Sequence, residues 1–397
     1  MDRGVAISGM GIVSAIGMNA KENFEALKKG QHGISEVELV DTILKENILV
    51  GEIKKSNQEL EQILKLPTPN SFSRSSMLGM IAIKEAFRDA EIQVKDNTSM
   101  AFVNSTTVGG MDMVEKFYDS FLTDKKNQHY ISVNDAGSNT HLMADYFNIK
   151  GFVTTISTAC SSAANAIMLG ARLIKSGRAE KVVVGGMDGL CKFTLNGFNT
   201  LMLQSNGFNK PFDDERVGLN LGEGAAYLIL ESQSSLQKRD KTPLAYLTGY
   251  ANANDAYHQT ASSEQGEGAF LAMKKAFEVA GIQPEQVDYI NAHGTATPNN
   301  DLSEGRALLN FFENKIPDFS STKPFTGHTL AAAASIEAVF SILALRENII
   351  YPNLNFKTKM KEFDLTPQIE IKKKEVNTVL SNSFGFGGNC SSLIFEK

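Results

Sequence analysis

The strongest constraint on this chain is an order of local sequence that occurs twice. Asn104-Ser105-Thr106 closes one strand-like run, and Asn291-Ala292-His293 closes another. Thr158-Ala159-Cys160-Ser161 leads into an Ala-rich helical stretch, and Thr326-Gly327-His328-Thr329 leads into a second. Val184-Gly185-Gly186 is echoed by Phe386-Gly387-Gly388. Echoes in one order point to a duplicated unit. The division falls at 1–235 and 236–397, with a pseudo-twofold axis relating the halves. No long linker or low-complexity stretch separates them, so one body is expected.

Between these marks, strand-like runs alternate with helical ones. Arg3–Ser14 reads as a strand that turns at Gly9 and Gly11, and Ser75–Glu91 as a helix with apolar residues at helical spacing. Met100–Ser105 and Val153–Ser157 read as strands, Ser161–Ser176 as a helix, and Lys181–Val184 and Ala225–Glu231 as strands. The second half gives strands at Leu244–Thr248, Val287–Ala292 and Thr378–Ser383, with helices at Gly268–Ala280 and Leu330–Arg346. Such alternation argues for α/β architecture, with mainly parallel sheets covered by helices on both faces.

Composition narrows the function classes. With 397 residues and 42% hydrophobic content the chain can bury a large core. A net charge of −6 and the absence of a Lys/Arg run argue against nucleic acid. The longest apolar stretch, Ala331 to Leu345, carries Glu337 and is too short to span a bilayer. The N-terminus does not read as a signal peptide. Cys160, Cys191 and Cys390 are scattered and form no CxxC pair, so a cytoplasmic protein without structural zinc is expected.

Cys160 is the first candidate for chemistry. A strand leads in and a helix leads out, which sets the sulfur at a helix N-terminus. There the macrodipole favours the thiolate, so a lowered pKa is expected. Against this stands the ordinary fate of a lone cysteine, a packed core thiol. His293 follows a strand at a sheet end, where α/β proteins place sites. His328 precedes the second Ala-rich helix and faces Cys160 by the internal symmetry. Lys323, five residues earlier, is placed to orient His328, and Glu337 in its apolar helix needs a partner, with Lys323 the candidate. The Gly-rich loop Ser383–Asn389 offers backbone N–H groups to an oxyanion, or is simply a tight turn. Gly9-Met10-Gly11 lacks the third glycine of a dinucleotide fingerprint.

Taken together, these stretches resemble the β-ketoacyl-acyl-carrier-protein synthases. The Cys160 elbow, His293-Gly294-Thr295-Ala296-Thr297 with Asp301 and Glu304, Lys323-Pro324-Phe325-Thr326-Gly327-His328, and Gly385-Phe386-Gly387-Gly388 match that family in order and spacing. The resemblance runs over nearly the whole chain. It implies a thiolase-like five-layered αβαβα fold, usually dimeric, with no metal or organic cofactor. Cys160 would accept the acyl group, and His293 and His328 would hold the malonyl thioester carbonyl and the enolate. Lys323 and Glu337 would organise His328. The N–H groups of Cys160 and Phe386 would form the oxyanion hole, and the Phe386 ring would gate the acyl pocket.

The resemblance also implies binding residues and partners. Thr295 and Thr297 would contact the phosphopantetheine arm, and Phe384 the substrate. Val108 matches the position where a dimer mate closes the acyl pocket. Lys125 and Lys126 would meet an acidic acyl carrier protein. Homodimer and heterodimer with a related subunit both remain open. So do fatty-acid elongation, a polyketide or aryl-polyene pathway, and a non-catalytic interaction subunit. The sequence departs from the family at Ala331 and Ala334, where glycines are usual, and at Lys210-Pro211-Phe212-Asp213 and Arg216-Val217-Gly218.

Overall fold

The computed structural model describes residues 4–93, 99–313 and 315–397, with the side chains of Lys126 and His129 outside that description. Ten strands join edge to edge. They are β1 (Val5–Ser14), β2 (Ala101–Ser105), β3 (Val153–Ile156), β4 (Lys181–Asp188), β5 (Gly224–Glu231), β6 (Ala245–Asn254), β7 (Tyr289–Asn291), β8 (Asp318–Ser320), β9 (Thr378–Gly385) and β10 (Asn389–Glu396). Their spatial order is β8-β7-β9-β10-β6-β1-β5-β4-β2-β3. Read outward from the centre, each half places its strands first, fifth, fourth, second, third. The pairings repeat as well: antiparallel β1–β5 and β5–β4, then parallel β4–β2 and β2–β3, matched by β6–β10, β10–β9, β9–β7 and β7–β8. A short antiparallel contact, Val5 opposite Leu247, joins the halves.

Helices complete the layers. They are α1 (Arg74–Asp89), α2 (Ser162–Lys175), α3 (Lys192–Thr200), α4 (Glu267–Ala280), α5 (Pro298–Phe311) and α6 (Ala333–Glu347). α1 covers β1, β5 and β4, while α4 covers β6, β10 and β9. α2 and α6 pack on one another and on strands of both halves. The sequence of layers is therefore αβαβα. Ala163, Ala164 and Ala166 of α2 share a core with Ala334 and Ala338 of α6, small side chains that let the buried helices lie close.

Two expectations are corrected. The sheets are not mainly parallel, because five of the nine pairings above are antiparallel. A three-residue link between β9 and β10 permits only an antiparallel return. Nor do Gly9 and Gly11 turn the chain, since β1 continues through both, with only a shift of pairing register between Ile7 and Gly9. A Cβ at Gly9 would stand 2.5 Å from the Ala86 carbonyl oxygen, and one at Gly11 2.1 Å from that of Ala82. These glycines let α1 press onto the strand. Gly249 repeats the device in β6, where a Cβ would meet the Ala276 oxygen of α4 at 2.5 Å.

Candidate active site

Cys160 is buried at the bend between β3 and α2. Ala159 before it has φ +51, a conformation that L-residues rarely adopt. Local bonds hold the bend: Ser162 Oγ donates to the Ala159 carbonyl at 2.5 Å and accepts from Thr158 N–H at 2.8 Å. The expected low thiol pKa is not found. Burial pushes it up to about 11, against the opposing pull of Lys323 and of the Phe386 and Cys160 N–H groups. The helix N-terminus is present, but desolvation of the thiolate outweighs it.

His293 stands just beyond β7. Its own N–H and that of Gly294 are taken by the two oxygens of Glu304, at 2.9 and 2.8 Å. Lys323 Nζ lies 3.2 Å from its Nδ1 and donates to its carbonyl oxygen. An ammonium has only donors, so Nδ1 accepts and the ring proton belongs on Nε2. Glu337 Oε1 meets Lys323 Nζ at 2.5 Å, with both side chains buried. The direct contact of Lys323 is therefore with His293, whereas on His328, the partner expected from the sequence, it acts through its charge. The parallel neighbours β7 and β8 explain it: Asn291 pairs with Ser320, which brings the segments that follow side by side.

His328 is held by the other half. Its N–H donates to the Asn220 carbonyl at 2.7 Å, and its carbonyl accepts from Gly222 N–H at 3.0 Å. Its Nδ1 is buried without a hydrogen-bond partner. The His293 and His328 rings lie 5.5 Å apart at 85°. Burial, reinforced by Lys323, holds both imidazoles well below the usual histidine pKa, so both are neutral near pH 7.

The Gly-rich loop closes on the sulfur. Phe386 N–H bonds toward the Cys160 thiol, as does the N–H of Cys160 itself. At Gly385 a Cβ would lie 2.9 Å from the Thr158 oxygen and 3.1 Å from Cys160 N, so only glycine allows this approach. Asn389 Oδ1 ties the loop to the elbow, accepting from Ser161 Oγ at 2.7 Å and Asn165 Nδ2 at 2.8 Å. The Phe386 ring stacks on Phe198 with centroids 5.8 Å apart.

Cys160, His293 and His328 line one cavity of about 350 Å³. Its walls include Thr295, Thr297, Phe384 and Phe386. Among the described residues no group of three or more His, Cys, Asp or Glu is placed to hold a metal ion, and no helix is long and apolar enough to cross a membrane.

A cysteine, two neutral imidazoles and converging N–H groups in one apolar cavity invite comparison with known proteins. Residues 2–235 match the family model described as the β-ketoacyl synthase N-terminal domain, and residues 244–357 match the C-terminal domain. The chain belongs to the β-ketoacyl synthase family. A 3-oxoacyl-[acyl-carrier-protein] synthase 2 of Staphylococcus aureus (strain N315) is 32% identical to this β-ketoacyl synthase family member, covering 99% of the chain and 98% of the relative. Among solved structures, the ishigamide ketosynthase/chain length factor superposes with a TM-score of 0.92 at 26% identity, over 100% and 99% of the two chains. The type II polyketide ketosynthase of AntDE:AntF, in complex with its acyl-carrier protein, gives 0.86 at 25%, over 99% of each. The fold is that of the thiolase-like ketosynthases.

Some residues singled out in the sequence stay apart from the cavity of this synthase-family chain. Val108 does not itself line the cavity; it is buried in a cluster with Leu190, Leu195 and Leu219, and Leu219 of that cluster belongs to the cavity wall. Lys125 is exposed on a short helical turn away from the cavity wall, and the Lys126 side chain lies outside the described residues. Cys390 lines the cavity with its thiol pKa pushed up by burial, as fits a packed thiol. Conversely, sequence reasoning assigned no task to Glu304, Asn389 or Phe198. A carboxyl within the first two turns of α5 was the available sign for Glu304; nothing in the spacing marked the other two.

Proposed function

We propose that this chain is a β-ketoacyl-acyl-carrier-protein synthase that elongates fatty-acyl chains by decarboxylative Claisen condensation. One observation carries the reading: Cys160, His293 and His328 share a cavity in which the N–H groups of Cys160 and Phe386 converge on the sulfur. In the first half-reaction Cys160 sulfur bonds the acyl carbon, the carrier thioester C–S bond breaks, and the carrier arm leaves as a thiol with the cysteine proton. In the second, malonyl loses carbon dioxide and the electron pair moves onto the thioester oxygen. The Nε2–H of His293 and a neutral His328 stabilise that enolate. Its carbon then attacks the acyl carbonyl, the two N–H groups hold the oxyanion, the C–S bond to Cys160 breaks as the β-ketoacyl product forms, and the released thiolate takes a proton from solvent. Covalent capture splits one hard step into two easier ones.

Thr295, Thr297 and Phe384 would bind the arm and substrate, supported by their place on the cavity wall. The partners are acyl carrier proteins and a second ketosynthase-like subunit, identical or related. The repeated strand order supports division into halves at 1–235 and 236–397. Three free buried cysteines fit a cytoplasmic setting. A polyketide role is the second reading, favoured by the superposition on a type II polyketide ketosynthase and on a ketosynthase/chain length factor.

The test is intact mass after incubation with acyl-carrier substrates of graded length, for wild type and Cys160→Ala. A single adduct on wild type alone is expected, with the preferred acyl group separating the fatty-acid and polyketide readings. No adduct with any chain would move a non-catalytic interaction subunit ahead.

A further inference from the structure

The cavity is edged by exposed apolar residues beside neutral polar ones such as Thr260 and Asn299, where charge-led docking needs ions. Among the described residues no Asp, Glu, Lys or Arg lines it. Leu201, Met202 and Val217 belong to its wall and are nevertheless 45%, 86% and 65% exposed, so they form the apolar part of its outer rim. Met202 follows the C-cap of α3 with φ +55, its N–H bonded to the Asn199 carbonyl at 2.9 Å. Glycine is the least strained residue at such a helix end. A methionine there is both strained and left uncovered, a combination that stability alone does not explain. Charges beside Val217 are already engaged. Lys210 pairs with Glu215 at 2.8 Å, Lys361 pairs with Asp214 at 2.8 Å, and Arg216 donates to the Asp213 and Pro298 carbonyls. The chain as a whole carries a net charge of −6.

We propose that Leu201, Met202 and Val217 are the docking contact for the acyl carrier protein, seated by apolar burial rather than by attraction between charges. This rests on the carrier-dependent reading above. The occupant follows from the route: a thioester arm reaches Cys160 through this mouth, so the protein bearing the arm rests on the residues that rim it. Apolar contacts are little weakened by salt, whereas exposed ion pairs are screened within about 10 Å.

The experiment measures KM for one acyl group on carrier protein and on free pantetheine, at about 0.05 and about 0.5 M salt. Wild type, Met202→Glu, Val217→Glu, Met202→Gly and Lys125→Glu are compared. Carrier KM is expected to change less than about twofold with salt, and to rise about tenfold in either glutamate variant. The pantetheine KM should move much less, which also shows that the variants fold. Met202→Gly should melt at a higher temperature yet bind carrier more weakly, a pair of effects that a purely structural methionine would not give. A carrier KM that climbs with salt and with Lys125→Glu, but ignores Met202→Glu, overturns the proposal in favour of charge-led docking. Acylation of Cys160 by neither substrate overturns the reading beneath it.

Discussion

The ammonium of Lys323 stands between His293, 3.2 Å from its Nδ1, and Glu337, 2.5 Å from its Oε1. The arrangement does two things at once. It fixes the proton of His293 on the nitrogen free to face a reacting oxygen, and it keeps the imidazole neutral. Glu337 in turn gives the buried cation its counter-charge. A neutral donor suits decarboxylative chemistry, where no strong base is required and charge develops on an oxygen.

Replacing Lys323 with alanine should therefore separate the two half-reactions. Glu337 would be left buried and unpaired, which costs about 3–5 kcal/mol of stability. Single-turnover acylation of Cys160 should fall by less than about tenfold, while carbon dioxide release from malonyl carrier falls by about 10²-fold or more. Lys323→Met with Glu337→Leu should recover the stability without recovering decarboxylation. Equal loss of both half-reactions in that double variant would remove Lys323 from its positioning role.

The Cys160 thiol, pushed up to about 11, sets a second expectation. At pH 7 the resting sulfur is protonated. Alkylation by iodoacetamide should rise about tenfold per pH unit from 7 to 10 without levelling off, because the thiolate is the reacting form. The same shift makes the folded state prefer the thiol, so this contribution to stability holds below pH 9 and is lost as pH rises towards 11. A plateau in the alkylation rate near pH 7 would contradict the burial argument.

Much of this site is legible in the sequence, for physical reasons that can be named. Cys160, His293 and His328 each stand between a strand and a helix, and the internal echo puts them at matching ends of two related units. Glu337 announces a partner because a carboxyl in an apolar helix must have one. The service of Lys323 to His293 is hidden, since sequence nearness points to His328 and only the β7–β8 register brings the other histidine alongside. β10 is hidden too: Cys390–Phe395 is buried at every position, so it lacks the alternation that marks a half-exposed strand. The antiparallel share of the sheet follows from that strand, its twin β5 and the junction of β1 with β6.

Burial of the two neutral imidazoles predicts acid sensitivity. Both pKa values lie well below 6.5, so the fold gains from neutral histidine above that pH and loses the gain as pH falls. Each contributes a slope of up to about 1.4 kcal/mol per pH unit below about 6.5. Glu304, raised to about 7 by burial, runs the other way and loses stability as pH rises from 4.5 through 7. Denaturant melts at pH 5 and pH 7 should therefore differ less for His293→Asn/His328→Asn than for the parent. An unchanged difference would mean that the histidines are protonated in the fold.

The approach of the Gly-rich loop to the elbow gives the last prediction. Gly385 has ordinary extended dihedrals, φ −109 and ψ 155, so alanine fits its backbone without strain. What alanine does not fit is the space, because its Cβ would fall 2.9 Å from the Thr158 oxygen and 3.1 Å from Cys160 N. The loop must retreat by a few tenths of an ångström, taking the Phe386 N–H with it. Both N–H groups proposed to hold the oxyanion are then misaligned, although each is still present. Gly385→Ala should slow acyl transfer to Cys160 by about 10–10²-fold, within the range seen on losing one oxyanion donor. It should also slow thiol alkylation at fixed pH, since Phe386 N–H favours the thiolate. Single-turnover mass spectrometry and iodoacetamide kinetics read the two effects separately. Slower acylation with unchanged alkylation would place the fault in substrate fit, whereas loss of both places it in the N–H pair that faces the sulfur.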